Sequence, residues 1–376
     1  MQRGVSGEGA VMLSFLAKPW LFSIVLAFAL LAPDRAFADD RFGRHRPIDR
    51  IVVFGDSLSD PGNAYEFYGK QPPIAPPDYG MAGVDSQGIP EVIALIPDPK
   101  APYASRRFSN GVTWIELLGG AIGLGSSVKP AFAGSDRRAF NYAVAGARAG
   151  GAGPVDLSRQ VGLFLDDVRG RADDDALYVI EIGGNDIRDA LEALLTGGNP
   201  GEVIEAAVGS VGYNIAKLYR AGARKFLIWN VPNVGRTPAL QRLSTFVAPV
   251  FAPAATALVV GEDGNGGYNG GLKALLHFLS TAPASAGGLP GIEIVQFDAF
   301  ASLEAVQQNP QSFGLLDAST ACIQPDVPHF GFPSAPPHRC EHPDRHFFWD
   351  GIHPTRVGHA IMAFLVGKKL VHALHD

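Results

Sequence analysis

Cysteine is almost absent from this chain: Cys322 and Cys340 are the only two in 376 residues. That excludes a disulfide-dense small scaffold and a four-cysteine zinc ribbon. Charge is sparse as well, at 18% of residues with a net of −6, against 47% apolar residues. A chain so apolar and weakly charged is not intrinsically disordered. No stretch is markedly basic, which removes a binder that works by neutralising phosphates. Beyond the first forty residues no apolar run could span a bilayer. The nearest, Phe246 to Val260, is too short and is interrupted by Pro249 and Pro253. Internal repeats are missing too. What the chain has in excess is glycine and proline, 45 and 29 residues without a period, which argues for many turns and loops.

At the N-terminus Lys18 precedes the uncharged run Trp20 to Ala32, and Ala36-Phe37-Ala38 follows before Asp39-Asp40. A positive flank, a short apolar stretch and an A-x-A site together read as a secretory signal cleaved after Ala38. The competing reading is an uncleaved anchor helix, for which the run is short of the roughly 20 apolar residues needed. Met12 is an alternative start that would give a more usual signal length. No cysteine lies near the cleavage site, so a lipid-anchored form is excluded. The expected organisation is a signal peptide over 1–38 and one domain over 39–376, exported to the periplasm or outside the cell. Residues 70–105, crowded with proline, form an irregular insertion in that domain.

Along the rest of the chain, short apolar runs closed by glycine predict buried strands at Ile51–Phe54, Ala176–Ile182, Lys225–Asn230 and Ile292–Phe297, with Ala139–Ala145 also strand-like. Helical periodicity appears from Thr113 to Leu118, Leu157 to Arg169, Val203 to Ala221, Ser244 to Val260, Asn269 to Ser280 and Arg356 to Leu374. This alternation predicts an α/β fold with a mostly parallel central sheet covered by helices on both faces. Ligands of such sheets sit beyond the carboxyl ends of the strands. Three strand ends carry unusual residues: Gly55-Asp56-Ser57, Gly146 in a glycine-rich turn, and Gly183-Gly184-Asn185-Asp186.

Each of these has a bland alternative. Ser57 could be a cap or turn serine; as a nucleophile it needs an adjacent base. The G-x-S-x-G elbow of the α/β-hydrolases is absent. Asp350 stands three residues before His353 in a tight turn ahead of a helix, where a carboxylate can fix the imidazole tautomer; the same residues could make an ordinary capping turn. Asn185 could offer a neutral donor to a developing oxyanion, or be a turn asparagine.

Taken together, the blocks resemble the GDSL esterase/lipase family of the SGNH hydrolases. They are Phe54-Gly55-Asp56-Ser57-Leu58-Ser59-Asp60-Pro61-Gly62-Asn63, close to the plant-type form, then Asn141 to Ala147, Gly183-Gly184-Asn185-Asp186, and Asp350-Gly351-Ile352-His353-Pro354-Thr355. Arg107 to Gly111 and Tyr219 to Lys225 also look like family segments, and the order is right from about residue 48 to 370. The resemblance implies a three-layer α/β/α sandwich and ester hydrolysis through an acyl-serine, with no metal or organic cofactor. It implies Ser57 as nucleophile, His353 as base, Asp350 as its orienter, and an oxyanion hole of the Ser57 and Gly146 amides with the Asn185 side chain. Asp60 and Asn63 read as turn and cap residues, and Pro61 departs from the family block without touching a catalytic atom. The expected partner is a small-molecule or lipid ester, with transient contact at a membrane surface and no nucleic acid. Lipase, phospholipase, acyltransferase and carbohydrate deacetylase chemistry all use these residues, so the substrate stays open.

Weaker signals were weighed beside these. Gly146 to Gly153 is neither a dinucleotide fingerprint nor a P-loop. Glu262 to Gly267 suggests calcium, but an EF-hand starting at Asp263 would need Glu where Ala274 stands. Cys322, Cys340, His342 and His346 could hold zinc; in an exported chain the cysteine pair favours a disulfide, closing a loop just before Asp350. His329, His338 and His359 read as loop or surface residues. Phe246 to Val260 reads as a buried helix, with an acyl-binding wall or lid as the alternative.

Overall fold

The computed structural model describes residues 48–68, 74–75, 78–79, 106–134, 136, 138–246, 248–261, 264, 266–324 and 338–375. The signal segment, most of the proline-rich stretch 70–105 and His329 lie outside them.

Four strands, Arg50–Gly55, Ala176–Glu181, Lys225–Trp229 and Glu293–Phe297, form one parallel sheet in the order of the sequence. Their side chains alternate between two cores, as a period of two requires. Val52, Phe54, Tyr178, Ile180, Phe226 and Ile228 face one core. Ile51, Val53, Leu177, Val179, Leu227 and Trp229 face the other. Helices Leu157–Asp167, Pro200–Ala221 and Gly267–Thr281 supply the first core, and Trp114–Ala121, Ala299–Gln308 and Arg356–His375 the second. The result is the three-layer α/β/α sandwich. Both faces of the central strands are sealed, which is why those strands read as unbroken apolar runs.

The segment predicted as a strand over Ala139–Ala145 runs parallel beside the first strand, with Tyr142 N donating to Val53 O at 2.8 Å and Val144 N to Gly55 O at 3.1 Å. It is held through isolated bridges rather than a continuous ladder. The chain therefore leaves the first strand toward one side of the sheet and returns, at Ala176, on the other. A crevice opens where neighbouring connections diverge in this way, and here that is the carboxyl end of the first strand.

The single helix expected over Ser244–Val260 is two, Pro238–Phe246 and Phe251–Val260. The break falls by Pro249, whose ring cannot continue a helix. Phe251, Ala252, Ala255 and Val259 lie in the main core, so the second of these helices is a core helix. No helix among the described residues is long and apolar enough to cross a membrane.

Cys322 and Cys340 are joined in a disulfide. It closes the base of the short antiparallel pair Ile323–Gln324 and His338–Arg339, and it leaves no thiolate for a zinc site with His342 and His346. Cys322 N and Ile323 N donate to Phe348 O and Trp349 O at 3.0 and 2.8 Å, so the bridge is fastened to the strand that leads into Asp350. Closing a loop with a sequence separation of 18 stabilises by about 3 kcal/mol in the chain-entropy view. Reduction, or paired Cys322→Ser and Cys340→Ser substitution, is expected to lower Tm by several degrees. Differential scanning calorimetry with and without reductant checks this.

Candidate active site

Three segments far apart in the sequence meet at the crevice. The first is the turn after the first strand. Asp56 opens it, its Oδ1 accepting from Leu58 N at 3.1 Å, and Ser57 follows half-buried at its apex. The second is the turn Asp350-Gly351-Ile352-His353, where Asp350 Oδ1 accepts from the amides of Ile352 and His353 at 2.8 and 2.7 Å. That folds the carboxylate back onto the imidazole: His353 Nδ1 lies 2.7 Å from Asp350 Oδ2, and His353 Nε2 lies 2.9 Å from Ser57 Oγ. Asp350 and His353 are buried. Burial alone would raise the Asp350 carboxyl, but His353 and the two amides hold it below its usual value. An ionised Asp350 requires the proton on Nδ1, which leaves the Nε2 lone pair facing the serine hydroxyl. Phe108 covers the imidazole, with ring centroids 5.1 Å apart.

The third segment is the pair of glycine turns. Gly146 has φ +82° and open space where a side chain would stand. Among the described residues neither the Gly146 amide nor the Ser57 amide has an acceptor. Around Gly146 the backbone is pinned from several sides. Asp60 Oδ2 accepts from Ala145 N at 2.9 Å, and Asn185 Nδ2 donates to Ala147 O at 2.9 Å. Asp156 takes the amides of Arg148 and Gly153, and Asp186 those of Ala149 and Gly150. Asn185 and Asp186 open the helix Gly184–Thr196 after Gly183, whose φ is +127°. A Cβ at Gly183 would lie 2.6 Å from Val231 Cγ2 and 2.7 Å from the Tyr268 hydroxyl, so no other residue fits.

The structure thus brings Ser57, Asp350 and His353 into one hydrogen-bonded line, with Gly146 and Asn185 on neighbouring turns. Asp60 and Asn63 do more than turn and cap. Asp60 also accepts from Gly62 N, Asn63 N and Ala64 N, and Asn63 Nδ2 donates to Asn141 O and Ala143 O at 2.7 and 2.8 Å. Both therefore join the serine turn to the Gly146 segment. Gln160 is fully buried and holds Gly55 at both its N–H and its C=O. A glutamine on the apolar face of the helix Leu157–Asp167 was the available signal for it. His359 is a correction: it is buried, not at the surface, and its Nδ1 accepts from Trp114 N at 3.2 Å. It caps the start of helix Trp114–Ala121 across the second core, a long-range partnership that periodicity does not reveal.

A groove of about 570 Å³ elsewhere, bordered by Asn233, Arg236, Thr256, Phe300 and Glu304, includes none of these residues. Arg236 is paired there with Glu304. A metal is not favoured at the crevice by its donor set. Asp350 spends its oxygens on His353 and two amides, and His353 spends both nitrogens.

Comparison with known proteins gives a consistent result. The profile of the family described as GDSL-like Lipase/Acylhydrolase matches residues 51–366. Three Arabidopsis thaliana proteins are similar over most of their length. GDSL esterase/lipase At5g45950 is 21% identical, covering 82% of this chain and 84% of its own. GDSL esterase/lipase At2g23540 is 24% identical, covering 91% and 89%, and GDSL esterase/lipase At1g28610 is 25% identical, covering 88% and 89%.

The buried carboxyls give the site a characteristic pH response. Burial pushes Asp56 up to about 7, and Asp60 and Asp186 each up to about 6. Glu181 is raised well above its usual value by burial and by Asp56. A carboxyl whose pKa is raised on folding stabilises most below its unfolded value, and that contribution is lost as pH rises through the folded value. His359 works the other way: burial lowers it to about 3, so its contribution is lost as pH falls below about 6.5. Four carboxyls outweigh one histidine. Tm is expected to be higher near pH 5 than near pH 8, and to fall again below about pH 4 as Asp350 protonates. A thermal-melt series in mixed buffers at constant ionic strength checks this.

Proposed function

The chain belongs to the GDSL-like lipase/acylhydrolase family and is a carboxylic ester hydrolase; from that premise we propose that it works through an acyl-serine formed on Ser57. Ser57 Oγ attacks the ester carbonyl as His353 Nε2 takes its proton, and Asp350 stabilises the imidazolium. The tetrahedral oxyanion is received by the amides of Ser57 and Gly146 and by the Asn185 N–H not spent on Ala147. Collapse expels the alcohol, which takes the proton from His353. Water, deprotonated by the same nitrogen, then releases the acid. The observation that carries the reading is the unbroken line from Asp350 through His353 to Ser57, at 2.7 and 2.9 Å.

The substrate is proposed as a small-molecule or lipid ester, with phospholipids among the candidates. Transfer of the acyl group to an alcohol, or deacetylation of a carbohydrate, would proceed through the same acyl-serine. Export is proposed on the Trp20–Ala32 run with its Ala36-Phe37-Ala38 site, and the Cys322–Cys340 bridge fits an oxidising compartment.

Ser57→Ala is expected to keep Tm and lose on the order of 10⁴ to 10⁶ in kcat on p-nitrophenyl esters. Asn185→Ala is expected to lose roughly 10²- to 10³-fold in kcat with KM little changed, because its donor matters as charge develops. Steady-state kinetics over acyl chains from acetyl to palmitoyl, with a phospholipid alongside, checks both and ranks the substrates. A rise in KM at constant kcat would instead make Asn185 a ground-state contact.

A further inference from the structure

The second strand, Ala176–Glu181, is entirely buried and apolar until its last residue. Leu177 and Val179 face the second core, and Glu181 continues their row. A carboxyl thus occupies a place where the pattern calls for another aliphatic side chain. Its Oε2 accepts from the Ser59 hydroxyl at 2.8 Å, and Ser59 Oγ in turn accepts from Trp114 Nε1 at 3.0 Å. Ser59 is wholly buried and lies two residues after Ser57. Its amide donates to Asp56 O, and its carbonyl accepts from Asn141 Nδ2. Glu181 pairs in register with Gly55, two residues before Ser57, and the negative charge of Asp56 acts on its carboxyl.

We propose that Glu181 is a positioning residue for the nucleophile: through Ser59 it sets the turn that aims Ser57 Oγ at His353. The proposal rests on Ser57 being the nucleophile.

Neither Glu181 nor Asp56 has a lysine or arginine at ion-pair distance among the described residues. An isolated carboxylate in such a place costs far more than a proton does, so the group neutralises instead. Burial raises both. The groups facing the pair agree with this. Asp60 on the same turn and Asp186 on helix Gly184–Thr196 add negative charge. Tyr268, from helix Gly267–Thr281, is neutral and also raised by burial beside these carboxyls. Of the side chains that act on Asp56 through charge, only His353 opposes the rise, and Arg107, which acts on Asp60, is paired with Glu116. A neutral Glu181 keeps the Ser59 link without placing a second negative charge beside the oxyanion that forms on Ser57. Ionising it would oppose that oxyanion.

The test compares Glu181→Gln, Glu181→Leu and Ser59→Ala with wild type in kcat and KM on p-nitrophenyl butyrate, across about pH 5 to 9. Ser57→Ala serves as the control. Glu181→Leu and Ser59→Ala are expected to lose roughly 10- to 100-fold in kcat, the scale of a small misplacement, with KM little changed. Glu181→Gln, which retains an acceptor for Ser59, recovers most of that loss. It also lacks the alkaline decline in kcat expected of wild type. Infrared difference spectra of the wild type should show protonated-carboxyl absorption at neutral pH that vanishes on alkalinisation, one component of which is missing in Glu181→Gln. This readout does not depend on Glu181→Leu folding. Wild-type kcat in Glu181→Leu and Ser59→Ala, an alkaline limb unchanged in Glu181→Gln, or no such component would each overturn the proposal. If those results came with an inert Ser57→Ala, positioning alone would fail. An active Ser57→Ala would mean that the nucleophile itself had been misassigned.

Discussion

The 2.9 Å contact between Ser57 Oγ and His353 Nε2 joins positions 296 residues apart, and much of the packing serves to hold it. A single hydrogen bond contributes about 1 kcal/mol net, far too little to bring the two ends of a chain together. Burial does that. Phe347, Phe348 and Trp349, just before Asp350, are buried, and a large apolar side chain contributes about 1.5 to 3 kcal/mol when fully buried. Hydrogen bonds then choose the direction. Ser109 Oγ donates to Pro354 O, Arg356 N to Asn110 Oδ1, and Trp114 N to His359 Nδ1. The segment from Ser109 to Trp114 thereby fastens the His353 turn to the helix behind it, and Ala239 N fastens the same turn to the far side through Gly351 O.

The opposite wall of the crevice is held by a different means. There the backbone must turn sharply through glycine, leaving amides that no ladder can satisfy. Side-chain carboxyls take them up: Asp60, Asp156 and Asp186 each accept two or more. The Ser57 and Gly146 amides are left over, and they lie on the two turns that face the crevice. The construction leaves buried acids raised above their usual values: Asp56 and Asp60 beside the serine, and Glu181 and Asp186 on either side of the Gly183 turn.

Much of this was legible in the sequence. The three central strands are sealed on both faces, so apolar runs marked them plainly, and Gly55-Asp56-Ser57, Gly183-Gly184-Asn185-Asp186 and Asp350 to His353 stood out because each interrupts such a run or precedes a helix. Less legible was whatever depends on a distant partner. The break between Phe246 and Phe251 lay inside a continuous apolar stretch, and its proline could have announced it. The short parallel pair of Asp317–Ala321 and His346–Phe348 lies beside the disulfide-linked segment and carries no apolar run of its own to mark it. Glu181, Gln160 and His359 each sit on a face that local pattern assigns to the core or to solvent, and their roles come from residues 105 to 245 positions away. A polar residue in an otherwise apolar row was the trace they left.

The central claim is that Ser57 is the atom donor for a covalent intermediate. Incubation with a fluorophosphonate followed by proteolysis and mass-spectrometric mapping tests it most directly. The account predicts one adduct per chain, on the peptide that carries Ser57, formed much more slowly when His353 is replaced by alanine. An adduct on a different residue, or full hydrolytic activity in protein whose Ser57 is fully modified, would contradict it.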